Sequence, residues 1–265
     1  MTVVRSVQRE QREQRDRTAG TREAILSAAE RLFGEYGLSA VSHRQIGRAA
    51  GQRNVTAVGY HFGSRSDLVR AIMARHGERA DRIRQRYVAA LDSDADLRDW
   101  VEALVRPVTE HLASLGSPSW HARLAAQVMT DPAMRVLVSE EACARPSLRQ
   151  ILDGLGRCLA DLPTGVRTER GAMARNLITH MCAERERALA ENSALLHESW
   201  NRTADALTDA IVGLLTAPVT PLGRDNRPAP TSPHRTPHTE HTGHTEHSAS
   251  KTPHRRETPD HEDQR

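Results

Sequence analysis

Histidine, cysteine and acidic side chains are the residues most able to do chemistry, and this 265-residue sequence contains 14 histidines, three cysteines and 34 acidic residues. Their spacing matches no usual motif: the sequence has no H-E-x-x-H, no glycine-rich phosphate loop, no C-x-x-C pair and no recognisable triad. Cys143, Cys158 and Cys182 lie far apart, a spacing typical of reduced thiols. The sequence therefore predicts that the protein is not an enzyme, and it predicts no cofactor and no metal site.

A second group of polar side chains lies close together, in the stretch GQRNVTAVGYHFGSRSDL at residues 51–68. The Tyr60 hydroxyl and the His61 imidazole can donate hydrogen bonds to anionic oxygens. Thr56 carries both a hydroxyl and a methyl group, so it can make polar and apolar contacts. We expect Phe62, which follows the polar pair, to lie in a core. This combination favours binding to an extended anionic partner over catalysis.

The distribution of charge agrees with such a partner. The whole chain has a formal net charge of +3 and a pI near 9.0. Residues 1–62 contain ten arginines against six acidic residues, whereas the residues from 218 onward contain seven basic and seven acidic residues. The positive excess therefore lies in the N-terminal part, where it would attract a polyanion.

Helices are the elements expected to position these residues. Apolar residues recur at steps of three and four, and no stretch alternates with a period of two, so the sequence predicts an all-α fold. Residues with capping side chains precede the first four predicted helices and glycines end the first three. These helices run from Thr21 to Gly37, from Ser42 to Gly51, from Asn54 to Gly63 and onward from Ser64, with Asp67 in the first turn of the last.

A short helix, a glycine-containing turn and a second short helix make a helix-turn-helix, which needs a preceding amphipathic helix to cover its apolar side. Residues 22–36 provide that cover. The second helix of such a unit enters the major groove of DNA, which is wide enough for one helix.

The residues that form this unit resemble the N-terminal domain of TetR-type transcriptional regulators. The resemblance covers residues 21–73 and rests on TREAILSAAERLFGEYGLSAVSHRQIGRAAG followed by YHFGSRSDL. There are two departures from the family pattern. The turn and third helix are one residue longer around QRN, and Gly59 stands where many members have tyrosine. Which of Arg53, Asn54 and Val55 caps the third helix therefore stays open.

The motif and the resemblance together imply a set of DNA-binding residues. Thr56 and Ala57 would contact base edges, and Tyr60 and His61 would donate to phosphate oxygens. The start of the second helix would face a phosphate. The full predicted set is Ser42, His43, Arg44, Arg53, Asn54, Thr56, Ala57, Gly59, Tyr60, His61 and Arg65. Two alternatives stay open: Tyr60 could pack against the first helix, and His61, Arg44 and Arg48 could be ordinary solvated side chains.

The remainder of the folded part, residues 74–217, is predicted to be helical, with Pro107 kinking or splitting one helix. By the resemblance it would bind a small effector and form a homodimer through its last two helices, near residues 166–190 and 192–215. The predicted pocket residues are Trp100, Trp120, Met129, Met134 and His180. The predicted dimer residues are Leu177, Met181, Leu196, Trp200, Leu207 and Ile211. Ordinary core packing is the alternative for every residue of both sets.

Both ends of the chain are predicted to be disordered. Residues 1–20 are rich in Gln, Arg and Glu without an apolar stripe, and residues 218–265 are rich in Pro, Thr and His. The N-terminal arginines could reach a minor groove or belong to an inert arm. Five tail histidines, at positions 234, 238, 241, 244 and 247, are spaced by three or four residues and could bind metal ions. Incidental metal affinity of a flexible tail is the alternative.

The motif and the resemblance thus lead us to expect a sequence-specific regulator. We expect it to be cytoplasmic, because the sequence contains no secretory signal and no run long enough to span a membrane. We expect a repressor that binds a palindromic operator in double-stranded DNA as a homodimer and is released by a small molecule. A non-specific architectural DNA-binding protein and a metal-responsive regulator that uses the histidine-rich tail are the alternatives.

Overall fold

The computed structural model describes residues 2–54, 56–191 and 199–220. Within these ranges the chain forms ten helices and no strand, which confirms the all-α prediction. The helices are α1 (Thr2–Tyr36), α2 (His43–Ala49), α3 (Ala57–Phe62), α4 (Arg65–Ala89), α5 (Leu97–Leu115), α6 (His121–Thr130), α7 (Pro132–Cys143), α8 (Pro146–Cys158), α9 (Thr164–Ala190) and α10 (Trp200–Thr216).

The first helix is longer than predicted. Residues 1–20 were expected to be a disordered arm with Thr21 as a helix cap, but α1 begins at Thr2 and passes through Thr21 without interruption. The physical reason is that Gln, Arg and Glu are good helix formers, so a helix nucleated by the packed residues 21–36 can extend backwards without an apolar stripe. The expectation of a disordered arm is therefore wrong.

The local signals around α2 and α4 are confirmed. Ser42 and Gln45 form a capping box at the start of α2, and Ser64 and Asp67 form one at the start of α4. Gly37, which follows α1, has a φ of 94°, a conformation that residues with a Cβ rarely adopt. These caps fix where the helices of the helix-turn-helix begin and end.

The structure adds detail to two later helices. The helix that was predicted to run onward from Ser64 is one continuous helix, α4, to Ala89. Pro107 lies inside α5 without dividing it. A proline removes one backbone hydrogen bond, and α5 packs against α4, α8 and α10 along its length, which supports the helix on both sides of Pro107.

Two apolar cores hold the fold together. The first contains buried residues of α1 to α4, such as Phe33, Ile46 and Phe62, together with Leu124 and Val128 of α6. The second lies among α5, α8, α9 and α10. Because α6 contributes Leu124 and Val128 to the first core and Ala122 to the second, it connects the helix-turn-helix with the rest of the molecule.

Polar contacts fix α6 at both ends. At its N-terminus the buried Glu186 carboxylate of α9 accepts hydrogen bonds from the backbone N–H groups of Ala122 at 3.2 Å and Arg123 at 2.9 Å. A negative charge is stabilised at a helix N-terminus. Towards its other end the Gln127 side chain accepts from the Leu38 N–H and donates to the Phe33 carbonyl, both at 3.0 Å. A shift of α6 would therefore move the end of α1.

Residues 1–219 belong to one compact unit. The domain boundaries predicted at residues 73 and 217 stay predictions. The predicted tail and its histidines lie, beyond residue 220, outside the described residues. No helix in the described part of the chain is long and apolar enough to cross a membrane.

Candidate DNA-binding and effector-binding sites

Helix α3 has two contrasting faces. Val58 is fully buried, Phe62 is nearly so, and the Arg22 guanidinium lies 4.9 Å from the centre of the Phe62 ring. On the other face Tyr60 is 85% exposed. The alternative that Tyr60 packs against α1 is therefore excluded, and the expectation that Phe62 lies in the core is confirmed.

Gly59 lies beside Tyr60 on this outer face. A Cβ placed on Gly59 would meet no atom within 4 Å, so no packing within the molecule requires glycine there. The half-buried His61 ring lies edge-on to Tyr60, with ring centres 5.3 Å apart. This face allows a partner's backbone to approach α3 closely while Tyr60 and His61 donate hydrogen bonds beside it.

The turn before α3 is ordered by one side chain. Asn54 Oδ1 accepts hydrogen bonds from the Thr56 backbone N–H at 2.9 Å and from its hydroxyl at 2.7 Å. The cap was left open among Arg53, Asn54 and Val55, but Thr56 directly precedes α3, and Asn54 forms a local turn to Thr56. Arg53 and Thr56 are exposed, Ala57 is half-buried, and Val55 lies outside the described residues.

The start of α2 lies beside the start of α4. The Ser42 hydroxyl donates to Gln45 Oε1 at 2.7 Å, so it serves the capping box. Arg44 is exposed and His43 is half-buried. The Arg65 guanidinium donates to the Val41 carbonyl at 2.9 Å. Arg65 therefore joins α4 to the segment before α2, and the five donors of a guanidinium leave it able to contact a phosphate as well.

A cavity of about 380 Å³ lies among α4 to α9. Its wall is mostly apolar and includes Leu104, Val108, Leu112 and Ile178. Met129 of α6 also lines it. A concave, mostly apolar space of this size with a few polar groups is typical of a small-molecule site.

Three histidines meet at one side of this cavity, one each from α4, α5 and α6. His76 Nδ1 lies 2.8 Å from His111 Nε2, and the rings of His76 and His121 stack with centres 3.7 Å apart. His76 Nε2 lies 2.9 Å from a carboxylate oxygen of Glu30 in α1. Glu30 also pairs with Arg75. The cluster thus touches α1, α4, α5 and α6.

Burial keeps these imidazoles uncharged. Desolvation, with the charge of Arg75 as a second cause, lowers the pKa of His76 to about 3. Desolvation likewise lowers the pKa of His111 to about 4. The pKa of His121 is also lowered well below its ordinary value, again chiefly by desolvation. All three rings are therefore neutral near pH 7, and each carries one nitrogen lone pair.

The sequence of the chain matches models of both domains of one family. Residues 25–72 match the model of bacterial regulatory proteins of the tetR family, and residues 102–213 match the tetracyclin repressor-like C-terminal domain. The chain belongs to the TetR family. It has the fold of a TetR-family transcriptional regulator, with a DNA-binding helix-turn-helix at residues 25–72, and regulators of this family are generally not enzymes. No curated protein matches the chain significantly.

Solved structures similar to this TetR-family protein include three regulators. PfmR from Thermus thermophilus is 19% identical, with 71% of this chain and 96% of PfmR covered and a TM-score of 0.45. LfrR from Mycobacterium smegmatis, solved in complex with proflavine, is 20% identical, with 77% and 99% covered and a TM-score of 0.40. A putative TetR-family regulator from Mesorhizobium loti is 18% identical, with 75% and 98% covered and a TM-score of 0.42.

Of the five residues predicted for the effector pocket of this TetR-family protein, only Met129 lines the cavity among α4 to α9. Trp100 faces Gly154 of α8 and lines a separate pocket of about 450 Å³, Trp120 packs on Gly34 of α1, and Met134 belongs to the first core. His180 is exposed. Residue type identified adaptable apolar side chains, but helix packing places four of the five residues elsewhere.

Some of the predicted dimer residues are buried in the molecule and others are exposed. Leu207 and Ile211 are buried against the second core, with Ile211 fully buried, so they cannot contact a partner subunit and their assignment is corrected. Met181 is 47% exposed, Leu177 and Trp200 are half-buried, and Leu196 lies outside the described residues. Met173, which the prediction omitted, is 52% exposed on the same side of α9.

The histidine cluster was missed because it has no local signature. His76 and His111 lie 35 residues apart in sequence, and each is one polar residue in an otherwise ordinary amphipathic helix. Polar residues at helix positions that face a core were the available signal. Only the packing of three helices brings the rings together.

Proposed function

We propose that this TetR-family regulator is a repressor that binds a palindromic operator as a homodimer and is released by a small molecule. The observation that carries the proposal is the two-faced α3: Val58 and Phe62 fix it to the core while Tyr60 and Gly59 are exposed. Helices of this kind enter the major groove with their outer residues against base edges and phosphates. Thr56 and Ala57 contact bases, and Tyr60 and His61 contact phosphates.

Homodimer formation is supported by the outer face of α9. Met173 and Met181 are exposed, and Leu177 lies between them at four-residue steps. This spacing puts the three side chains on one side of a helix. A two-fold dimer through this face presents two α3 helices to successive turns of DNA, which matches a palindromic operator.

Release by an effector is supported by the position of the cavity. The cavity is lined by α4, which leads to the helix-turn-helix, and by α6, which enters both cores. A largely apolar molecule in this cavity displaces α4 and α6 and changes the separation of the two α3 helices. Differential affinity for the two arrangements of roughly 1–3 kcal/mol is enough for regulation.

Footprinting of the purified protein on selected DNA, at fixed salt, tests this function. A protected region with two-fold symmetry supports the operator-binding dimer. Binding that covers all DNA evenly and depends only on salt would instead support the architectural alternative. Deletion of residues 221–265 tests the metal-responsive alternative that uses the tail. If that alternative holds, operator binding and release lose their dependence on metal ions when the tail is removed.

A further inference from the structure

The histidine cluster has the donor set of a transition-metal site. His76, His111 and His121 each offer a ring nitrogen, and the three nitrogens lie within 4.8 Å of one another. Tetrahedral zinc with imidazole ligands has Zn–N distances of about 2.0–2.1 Å, so its ligand nitrogens stand about 3.4 Å apart. The 2.8 Å between His76 Nδ1 and His111 Nε2 and the 4.8 Å limit bracket that value. Tilting the stacked His76 and His121 rings towards a shared ion is the main movement required.

Glu30 determines which nitrogen of His76 is available. A carboxylate oxygen only accepts, so the neutral His76 ring donates Nε2–H to Glu30 across 2.9 Å. Its lone pair is therefore on Nδ1, the atom directed at His111. A carboxylate that holds the outer nitrogen of a histidine is the usual second layer of a histidine–metal site, where it fixes the tautomer and the ring orientation.

His121 supplies an independent sign of a missing ligand. Its Nδ1 is buried and has no hydrogen-bond partner among the described residues. Buried polar atoms in native proteins are nearly always paired, so an unpaired one calls for an explanation such as a bound ion. A metal ion at the cluster gives this nitrogen a partner.

We propose that His76, His111 and His121 bind a divalent transition-metal ion of the zinc class at the side of the cavity. Three imidazoles, with no further protein ligand among the described residues, leave a fourth position open to water or to a donor atom of a second molecule. One ligand comes from each of α4, α5 and α6, so the ion ties together the helices that line the cavity. Through Glu30 it also fixes the contact with α1.

The ion acts as an effector or as part of one. This regulatory step rests on the proposed function. Binding tilts the stacked rings of His76 on α4 and His121 on α6 towards the ion, and α4 begins directly after the helix-turn-helix. The ion therefore shifts the arrangement of the two α3 helices in the dimer. Metal binding itself does not depend on this step.

The full chain, stripped with a chelator, is titrated with Zn²⁺ and with Co²⁺ against a competing chelator. The seven histidines of the tail, at positions 234, 238, 241, 244, 247, 254 and 261, could bind these ions weakly, so all seven are replaced by Ala in one variant. We expect this variant to keep one tight site and to give the visible absorption of tetrahedral cobalt. Loss of all metal binding with the tail histidines would overturn the proposal.

His121→Ala in the tail-substituted background is expected to weaken Zn²⁺ binding at least ~100-fold, and Glu30→Gln about 10–100-fold. His180→Ala is the matched control, because His180 is exposed on α9, and it should change nothing. Unchanged affinity in His121→Ala would overturn the site. If that variant fails to fold, X-ray absorption of the zinc-loaded parent decides instead: about three imidazole ligands support the site, and fewer than two overturn it.

The regulatory step is tested on operator DNA selected with the metal-free protein. A tenfold or greater change in operator affinity with Zn²⁺, absent in His121→Ala, supports it. Tight zinc binding without any change in operator affinity would overturn the regulatory step and leave the operator-binding function intact. Failure to select any defined operator, with zinc still bound, would refute the proposed function and leave the metal site standing.

Discussion

Replacement of Gln127 by Ala tests whether α6 is joined to the helix-turn-helix as the structure indicates. The substitution removes both hydrogen bonds that cross from α6 to the end of α1. The Leu38 N–H loses its acceptor, which costs about 1–2 kcal/mol. The Phe33 carbonyl still accepts a hydrogen bond from the Gly37 N–H at 3.0 Å. Loss of its second hydrogen bond, from Gln127, therefore costs only about 0.5–1 kcal/mol. We expect a total loss of roughly 2 kcal/mol, a factor of about 30 in the folding equilibrium.

Urea unfolding followed by tryptophan fluorescence and circular dichroism measures this loss. Trp120 directly precedes α6 and packs on α1, so its fluorescence reports on the joint itself. Gln150→Ala is the matched control, since Gln150 is exposed on α8 and should change stability by less than about 0.5 kcal/mol. If Gln127→Ala behaves like this control, the two hydrogen bonds do not hold α6 to α1 and the route from cavity to α3 is wrong.

Further substitutions and a pH series test other parts of the account. Tyr60→Phe should lower affinity about 5- to 10-fold on every DNA sequence, measured by anisotropy titration, without changing the melting temperature, because one phosphate hydrogen bond is lost from an exposed residue. Gly154→Ala should lower the free energy of unfolding by about 1–3 kcal/mol, because the new Cβ overlaps the Trp100 ring. Gly156→Ala, in the same helix with open space around it, should not. The free energy of unfolding of the metal-free protein should be level above pH 7 and fall between about pH 6.5 and 4. Unfolded histidines bind protons in that range, whereas the pKa values of His76 and His111 in the folded state are about 3 and 4. A flat profile over this range would contradict buried neutral histidines.

The sequence predicted those parts of the fold that depend on local chemistry. Ser42 with Gln45, and Ser64 with Asp67, are capping pairs three residues apart, so both helix starts can be inferred without tertiary information. Phe62 was assigned correctly because an aromatic residue that ends a helix-turn-helix needs a core behind it. Residues 2–20 were misjudged, since a polar helix that continues a packed one has no apolar period to detect.

The candidate sites were predicted less completely, because they depend on contacts between distant segments. An apolar stripe shows that a helix face is covered, but not by what. Leu207 and Ile211 are therefore equally good candidates for a dimer interface and for the monomer core that they occupy. The cavity residues and the histidine cluster come from several helices, so the spacing of residues within one helix predicts neither of them.

Selection of binding sites from random DNA, with wild type and Thr56→Ala in parallel, tests the central claim that α3 recognises operator sequence. Wild type should select a site with two-fold symmetry. Thr56→Ala should select a site that differs at one symmetry-related position, with a discrimination loss of about 1–3 kcal/mol there. No enriched site for wild type, or an identical preference for both proteins, would contradict the assignment of α3 as the base-contacting helix in this register.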